Sequence, residues 1–346
     1  MIDNRETEII DFIKKHKECS SKEISDGIKS SISYATVKRI LNKLSSENLL
    51  TTSGQGKGTK YLISKSYELL QPIDLEKYYK KEIDERKILK EFNFNLIEET
   101  IANTNIFTGK ENEKLNSLQS IYKNNVSQLT KNEFLIELER LAIDLSWKSS
   151  QIEGNTYTLL ETERLLKQKE TASGKTKEEA IMLLNHKDAI DFIIDHPKYL
   201  TPLSNSKIEN IHSLLIKDLK IDKNIRRRRV GISGTNYKPL DNEFQIKEAL
   251  SAMCRVINSK KNVFEKAILT LVLISYIQPF VDGNKRTARI VSNAILIHFK
   301  HCPISFRTVD SIEYKKAMLL FYEQNNISEF KKIFIDQFEF AVKTYF

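Results

Sequence analysis

The chain has 346 residues, with 55 Lys and Arg against 46 Asp and Glu (formal charge +9), 40% hydrophobic and 29% charged. That is the composition of a soluble globular protein, long enough for two or three domains with a real core, and its basic balance favours anionic partners without choosing among nucleotides, nucleic acid and acidic protein faces. With only 10 Gly and 6 Pro among many Lys, Glu, Leu and Ile, long helices and little loop are expected. The start, MIDNRETEII, lacks a basic segment followed by an apolar one, so no secretory signal is expected. The longest apolar run, AILTLVLISYI (267–277), is too short to span a bilayer and suits a buried helix, so no membrane partner is expected. Cys19, Cys254 and Cys302 are odd in number and far apart, which argues against a disulfide frame or zinc site and for a reduced, cytoplasmic setting.

Ile9, Ile10, Phe12 and Ile13 predict a short amphipathic helix. SSKEISDGI (20–28) opens with a capping-box pattern, Ser20 to Glu23. SYATVKRILNKLSSENLL (33–50) predicts a longer helix from Ser33, with Val37, Ile40, Leu41 and Leu44 on one face. LLTTSGQGKGTKYLIS (49–64) reads as two strands around a glycine-rich turn. Helix, helix, longer helix, hairpin: over residues 5–64 this order resembles the winged helix-turn-helix family, placing a first domain at 1–66. The resemblance implies that the third helix reads DNA with Ser33, Tyr34, Thr36, Lys38 and Arg39, while Lys57 and Lys60 on the wing meet phosphate. Winged helices also serve as docking or dimerisation modules, and that reading stays open.

DLEKYYKKEIDERKILKEF (74–92) predicts a connecting helix within a linker at 67–94, its Lys and Glu forming a solvated face. The capping patterns Thr130 to Glu133, Thr158 to Glu161, Thr176 to Glu179 and Ser206 to Glu209 predict helices over 131–153, 159–169, 177–195 and 207–219. Further helices are expected at about 243–258, 262–278, 284–300, 311–324 and 328–344. Between them RRRRVGISGTNYKPL (226–240) predicts a hairpin turning at Ser233 to Asn236.

In IQPFVDGNKRTAR (277–289), Pro279 stops an apolar helix and Gly283-Asn284 leads into the next. Such a turn aims free backbone N–H groups and a positive helix end at one point. Lys285, Arg286 and Arg289 there oppose the helix dipole, a local violation expected at a functional site, and the cluster can cradle phosphates. Asp282 is placed to ligate Mg²⁺ directly or through water.

QPFVDGNKRTAR resembles the Fic-domain signature H-x-F-x-(D/E)-G-N-(G/K)-R-x-x-R at every diagnostic position but the first, where Gln278 stands for histidine. The resemblance implies a mainly α Fic fold over 95–346, with ATP and Mg²⁺ as cofactors and AMP transferred to a Ser, Thr or Tyr hydroxyl of a target protein, which could be the chain itself. It implies Asp282 as metal ligand, Gly283, Asn284 and Lys285 as anion cradle, Arg286 and Arg289 as triphosphate holders, and Phe280 as the loop's anchor. The segment 226–240 is similar to the Fic flap that clamps the target beside the site, here through Val230, Ile232, Gly234 and Tyr237. Without the resemblance, RRRR (226–229) reads equally as an anion patch or a strand end.

Ser149 and Glu153 lie four apart on one helix face, followed by Gly154, a natural left-handed C-terminal residue. The stretch resembles the Fic inhibitory motif (S/T)-x-x-x-E-(G/N) in the class whose inhibitory helix precedes the core, which implies that Glu153 pairs with Arg289. An amide has no pKa near neutrality, so Gln278 cannot take the proton that the family's histidine takes. Three readings follow: an autoinhibited adenylyltransferase with altered base chemistry, a DNA-binding regulator whose degenerate Fic domain senses nucleotide, or an AMP-removing hydrolase. Homodimers occur in the family; no stretch here marks an interface.

Overall fold

The computed structural model describes residues 4–30 and 32–346, with Lys57 described in its backbone only. The chain opens with α1 (Asn4–His16), β1 (Glu18–Ser20), α2 (Ser21–Gly27), α3 (Tyr34–Ser46), β2 (Leu50–Ser53) and β3 (Lys60–Ile63). The two strands expected around the glycine turn pair antiparallel, Leu50 opposite Ile63 and Ser53 opposite Lys60. A strand absent from the sequence reading, β1, pairs with the other edge of β3 and sets the order β1-β3-β2. At three residues it is too short to leave a period-2 pattern. Ile9, Ile10, Ile13, Val37, Leu41 and Leu44 fill the small core between helices and sheet.

The expected connecting helix over 74–92 does not form. The helical turns are α4 (Tyr67–Leu70), α5 (Leu75–Tyr79) and a 3₁₀ turn at Ile83–Glu85; the rest is irregular. The reason is tertiary. The Tyr78 hydroxyl donates to Glu323 Oε2 at 2.7 Å, Tyr79 donates to the Lys316 carbonyl at 2.7 Å, and Leu89 N–H donates to the Glu323 carbonyl at 2.8 Å. The two tyrosines dock from α5 itself, and the Leu89 N–H, given to the Glu323 carbonyl, is withdrawn from any helical bond of its own segment.

Beyond a π turn at Leu96–Ile101 come α6 (Gly109–Gln128), α7 (Lys131–Ile152), α8 (Leu159–Gln168), α9 (Lys177–Asp195) and α10 (Asn205–Leu215). The chain ends in α11 (Glu243–Ser259), α12 (Val263–Ile277), α13 (Asn284–His298), α14 (Ser311–Gln324) and α15 (Ser328–Tyr345). The boxes at Ser20, Thr130, Thr158 and Thr176 form with both reciprocal hydrogen bonds. The box expected at Ser206 does not. Its helix begins at Asn205, whose side chain donates to the Lys247 carbonyl and Ser251 Oγ, so a tertiary contact fixes the start. The same helix stops at Leu215 rather than 219, where Asn185 Nδ2 donates to the Leu215 and Lys217 carbonyls.

The central element is α12, buried without a break from Ala267 to Ile277 and packed against α11 and α13. Apolar on every side, it has no face to show water, and burial all round is the stable solution. Among the described residues no helix is long and apolar enough to cross a membrane. Leu271, fully buried in α12, is expected on truncation to alanine to cost about 2–5 kcal/mol. Ile312, 64% exposed, should cost less than about 0.5 kcal/mol. Urea midpoints of the two variants check this contrast.

Candidate functional site

The helix stop before Pro279 places Gln278 in left-handed backbone geometry, φ 52°. A non-glycine residue there carries roughly 1–2 kcal/mol of strain, so its surroundings must hold it. Arg226 does so. Its backbone N–H donates to the Pro279 carbonyl at 3.0 Å, and its Nε donates to the Gln278 carbonyl at 2.6 Å. Its two remaining nitrogens donate to the Arg228 and Leu240 carbonyls. The Gln278 amide is engaged at both ends: Nε2 donates to the Ser275 carbonyl at 2.6 Å, and Oε1 accepts from Asn284 Nδ2 at 3.0 Å.

Asn284 also ties the loop to itself, accepting from Phe280 N–H and donating to the Phe280 carbonyl, both at 2.8 Å. The Phe280 ring is fully buried and stacks on His212 with centroids 3.6 Å apart. Burial lowers the His212 pKa, only partly offset by the carbonyls of Asp282 and Lys223, and Nε2 lies 2.9 Å from the Asp282 carbonyl. Gly283 turns the chain at φ 82°; a Cβ there would sit 3.3 Å from the same imidazole. No sequence signal marked His212, because α10 brings it to the loop from 70 residues away.

Two helix ends meet here. The C-terminus of α7 carries Ser149 and Glu153, and α13 begins with Lys285, Arg286 and Arg289. Arg289 is fully buried; Nε donates to Ser149 Oγ at 2.8 Å, while Nη2 donates to the Ser149 carbonyl at 3.0 Å and Glu153 Oε1 at 2.7 Å. Lys285 Nζ donates to the other Glu153 oxygen at 3.2 Å. Gly154 follows at φ 101°, the left-handed helix end expected for it. Ser149 Oγ also lies 2.7 Å from Nε2 of the buried His186, kept neutral by burial and by the nearby arginines. Arg286 holds Asp282 at 2.8 Å. At this junction three buried guanidinium nitrogens have no acceptor among the described residues: Nε and Nη1 of Arg286 and Nη1 of Arg289.

A cleft of about 380 Å³ opens above this junction, lined by Glu153, Ile232, Gln278, Asp282, Lys285 and Tyr314 among others. Arg286 and Arg289 lie beneath its wall, reached through their partners Asp282 and Glu153. The segment 226–240 turns at Ser233-Gly234 as expected, but it forms no strand pair: its backbone bonds go to Pro279 and Lys90 instead. Of the four flap residues only Ile232 lines this cleft. Val230 faces a neighbouring one, and the Gly234 carbonyl is taken by Arg86. Tyr237 is buried, its hydroxyl donating to the Tyr276 carbonyl at 3.1 Å, and so is unavailable for docking. Within RRRR, Arg226 is internal, while Arg227 pairs with Glu243 and Arg229 with Asp241 at the surface.

On the winged helix, Lys38 and Arg39 project from α3 into solvent, and Lys38 lies 5.1 Å over the exposed Tyr34 ring. The Ser33 hydroxyl caps α3 and is shared with Thr36, and Tyr34 bonds Ser21 at 2.7 Å. Lys60 is half-exposed beside Glu18 at 3.9 Å; the side chain of Lys57 lies outside the described set.

Burial works to raise the Glu153 carboxyl, but the charges and hydrogen bonds of Arg289 and Lys285 outweigh it and hold the group at about 2, against 4.5 unperturbed. A depressed carboxyl stabilises fully above its unfolded value and loses that contribution as pH falls through the folded one. Glu153→Gln is thus expected to be roughly 1–3 kcal/mol less stable at pH 7, with the deficit shrinking as pH drops from 4.5 towards 2. Urea midpoints at pH 7, 5 and 3 measure this; a pH-independent deficit would contradict the pairing.

The Fic/DOC family model matches residues 202–296, and that of the penicillinase repressor family matches residues 2–92, which hold the winged helix. The protein adenylyltransferase Fic of Nematostella vectensis is 27% identical over 183 residues, 49% of this chain and only 40% of that relative's own length. Among solved structures, a fragment of Fic-1 from C. elegans has a TM-score of 0.60 at 18% identity, covering 68% of this chain and 72% of the other. A Fic domain containing signaling protein from Bacteroides thetaiotaomicron gives 0.58 at 19% identity, covering 67% and 95%. Signature, fold and family matches agree: this chain is a Fic-domain protein with an N-terminal winged helix.

Proposed function

We propose that the cleft binds ATP and supports protein adenylyl transfer, held in check by Glu153. The observation that carries this reading is the unsatisfied charge at the helix junction. Two buried arginines keep three guanidinium nitrogens without acceptors among the described residues, and the charged acceptor of Arg289, beside its two bonds to Ser149, is a carboxylate from another helix. A phosphate would satisfy those donors, and guanidinium groups match its oxygens bidentately. Glu153 occupies the same cation and repels an incoming phosphate, so nucleotide and glutamate compete.

Asp282 fits a magnesium ion held mainly by phosphates and water: it is one half-exposed carboxylate, and no group of three ligand side chains occurs among the described residues. When bound, such an ion neutralises phosphate charge. Gly283, Asn284 and Lys285 would hold the phosphates from the start of α13, with Arg286 and Arg289 closing beneath them. In the transfer, a target hydroxyl oxygen bonds to the α-phosphorus, the α–β bridging bond breaks, and pyrophosphate leaves. Gln278 cannot accept the hydroxyl's proton, which passes to water, so the rate rests on positioning and charge.

Two features favour a second, compatible reading, a regulator in which nucleotide occupancy is sensed. The Gln278 amide is already bonded at both ends, and α3 presents the solvent-exposed Lys38 and Arg39 beside a family match to repressors. Removal of AMP, with Glu153 positioning water, is disfavoured because that carboxylate is committed to two cations.

Transfer of labelled AMP from ATP with Mg²⁺ tests the first reading. Gln278→His should raise it by on the order of 10²-fold or more, and Glu153→Gly by roughly 10-fold through release of Arg289. If neither variant nor the native chain binds or transfers nucleotide, the assignment fails. For the second reading, replacing Lys38 and Arg39 with alanine should weaken retardation of the protein's own promoter DNA and reduce its salt slope by about 2. Equal retardation would remove α3 as the reader.

A further inference from the structure

The segment that links the two domains reaches the back of the cleft loop. Arg86 lies in it, with its side chain 4% exposed, and divides its guanidinium between two partners. Nη1 sits 3.2 Å from the Glu323 carboxylate, which is fully buried on α14. Nη2 donates to the Gly234 carbonyl at 3.0 Å. The rings of Tyr78 and Tyr79 flank the same guanidinium, at 5.9 and 5.1 Å, and Tyr78 supplies a second donor to Glu323. Further contacts run alongside. Asn236 Nδ2 donates to Asp84 Oδ1 at 3.0 Å, and Lys238 N–H donates to the Lys90 carbonyl at 2.8 Å.

These contacts matter because the loop has little else. Val230 to Ser233 make no backbone–backbone hydrogen bond among the described residues, yet Gly231, Ile232 and Ser233 line the cleft. A strand partner would ordinarily fix such a stretch. Here its two ends are fixed by arginines, Arg226 against the Gln278 carbonyl and Arg86 against the Gly234 carbonyl. Arg226 belongs to the loop itself, whereas Arg86 belongs to the linker.

We propose that Arg86 is a positioning residue: anchored on Glu323, it sets the course of the loop over 230–234, so that the segment following the winged helix controls the cleft wall a target would meet. A buried carboxylate suits this role. It fixes one arm of the guanidinium by a charge-assisted bond, and the planar fork then fixes the direction of the other. Lysine would keep the charge without the fork. The docking role of the loop is taken from the function proposed above; the position of the loop can be measured without it.

Limited trypsin digestion of the full chain reads that position, because Arg227, Arg228 and Arg229 stand at the loop's entrance. Cleavage from a locally opened state follows the population of that state. Arg86→Lys should unfold within a few degrees of the native chain, yet be cut at Arg227–Arg229 at least about fivefold faster, with cleavage after Lys110 unchanged. Asp84→Ala, an exposed change that cannot unfold the core, should accelerate the same cuts about twofold. ATP binding by calorimetry should stay within about twofold in both. Cleavage of the loop at the native rate in both variants, or faster cleavage everywhere in the chain, would overturn the role of Arg86. Absence of ATP binding in the native chain would instead count against the proposed function and leave the loop result standing.

Discussion

One ion pair between helix ends organises this site. Glu153 closes α7 where the helix dipole is negative, and Arg289 with Lys285 opens α13 where it is positive. Each is misplaced on its own helix, and each would be weakly destabilising alone. Brought together at 2.7 and 3.2 Å they correct one another, and the dipoles that opposed them now align across the contact. The burial of Arg289 makes that contact strong, because a guanidinium out of water must be matched by charge. Anything that competes for Arg289 must supply a comparable negative charge, which restricts the candidates to anions such as phosphate.

The loop beside this pair is built by saturating backbone carbonyls. Proline ends α12, Gln278 turns left-handed, and the carbonyls exposed by that turn are taken by Arg226 and by the Asn284 amide. Behind them lies an aromatic layer in which Tyr276, Tyr237 and Phe92 stack at 4.8 to 4.9 Å, joining α12, the flap segment and the linker. The linker thus serves the Fic core as a structural part rather than as a spacer. Tyr78 and Arg86 converge on one buried carboxylate of α14, and Tyr79 bonds the Lys316 carbonyl on the same helix.

The signature loop, the helix end at Ser149 to Gly154 and the winged helix were legible because each is local. Capping residues, a proline stop and a Gly-Asn turn act within a few residues, so their spacing carries the geometry. The linker was misread for the opposite reason. Its Lys and Glu content satisfies a solvated helix, and only its contacts with Lys316 and Glu323, over 230 residues away, explain why no continuous helix forms. The flap was half legible: the turn at Ser233-Gly234 forms, but the strands give way to bonds with Pro279 and Lys90. The choice of Arg226 as the internal one among four successive arginines left no trace in the pattern.

By itself the sequence determined the helical character, the order of elements in the N-terminal segment, the Gly-Asn loop with Gln278 at its start, and the residues that form the Glu153–Arg289 pair. Periodicity, capping and motif spacing are properties of neighbouring residues, and neighbours suffice to state them. Tertiary structure alone decided that Arg289 is buried against Glu153, that Gln278 is bonded at both ends, that His212 supports the loop and that Arg86 grips it from behind. Each of those depends on which distant groups share a low-dielectric space, where an unpaired charge or carbonyl is costly and its partner is whichever group the packing brings within about 3 Å.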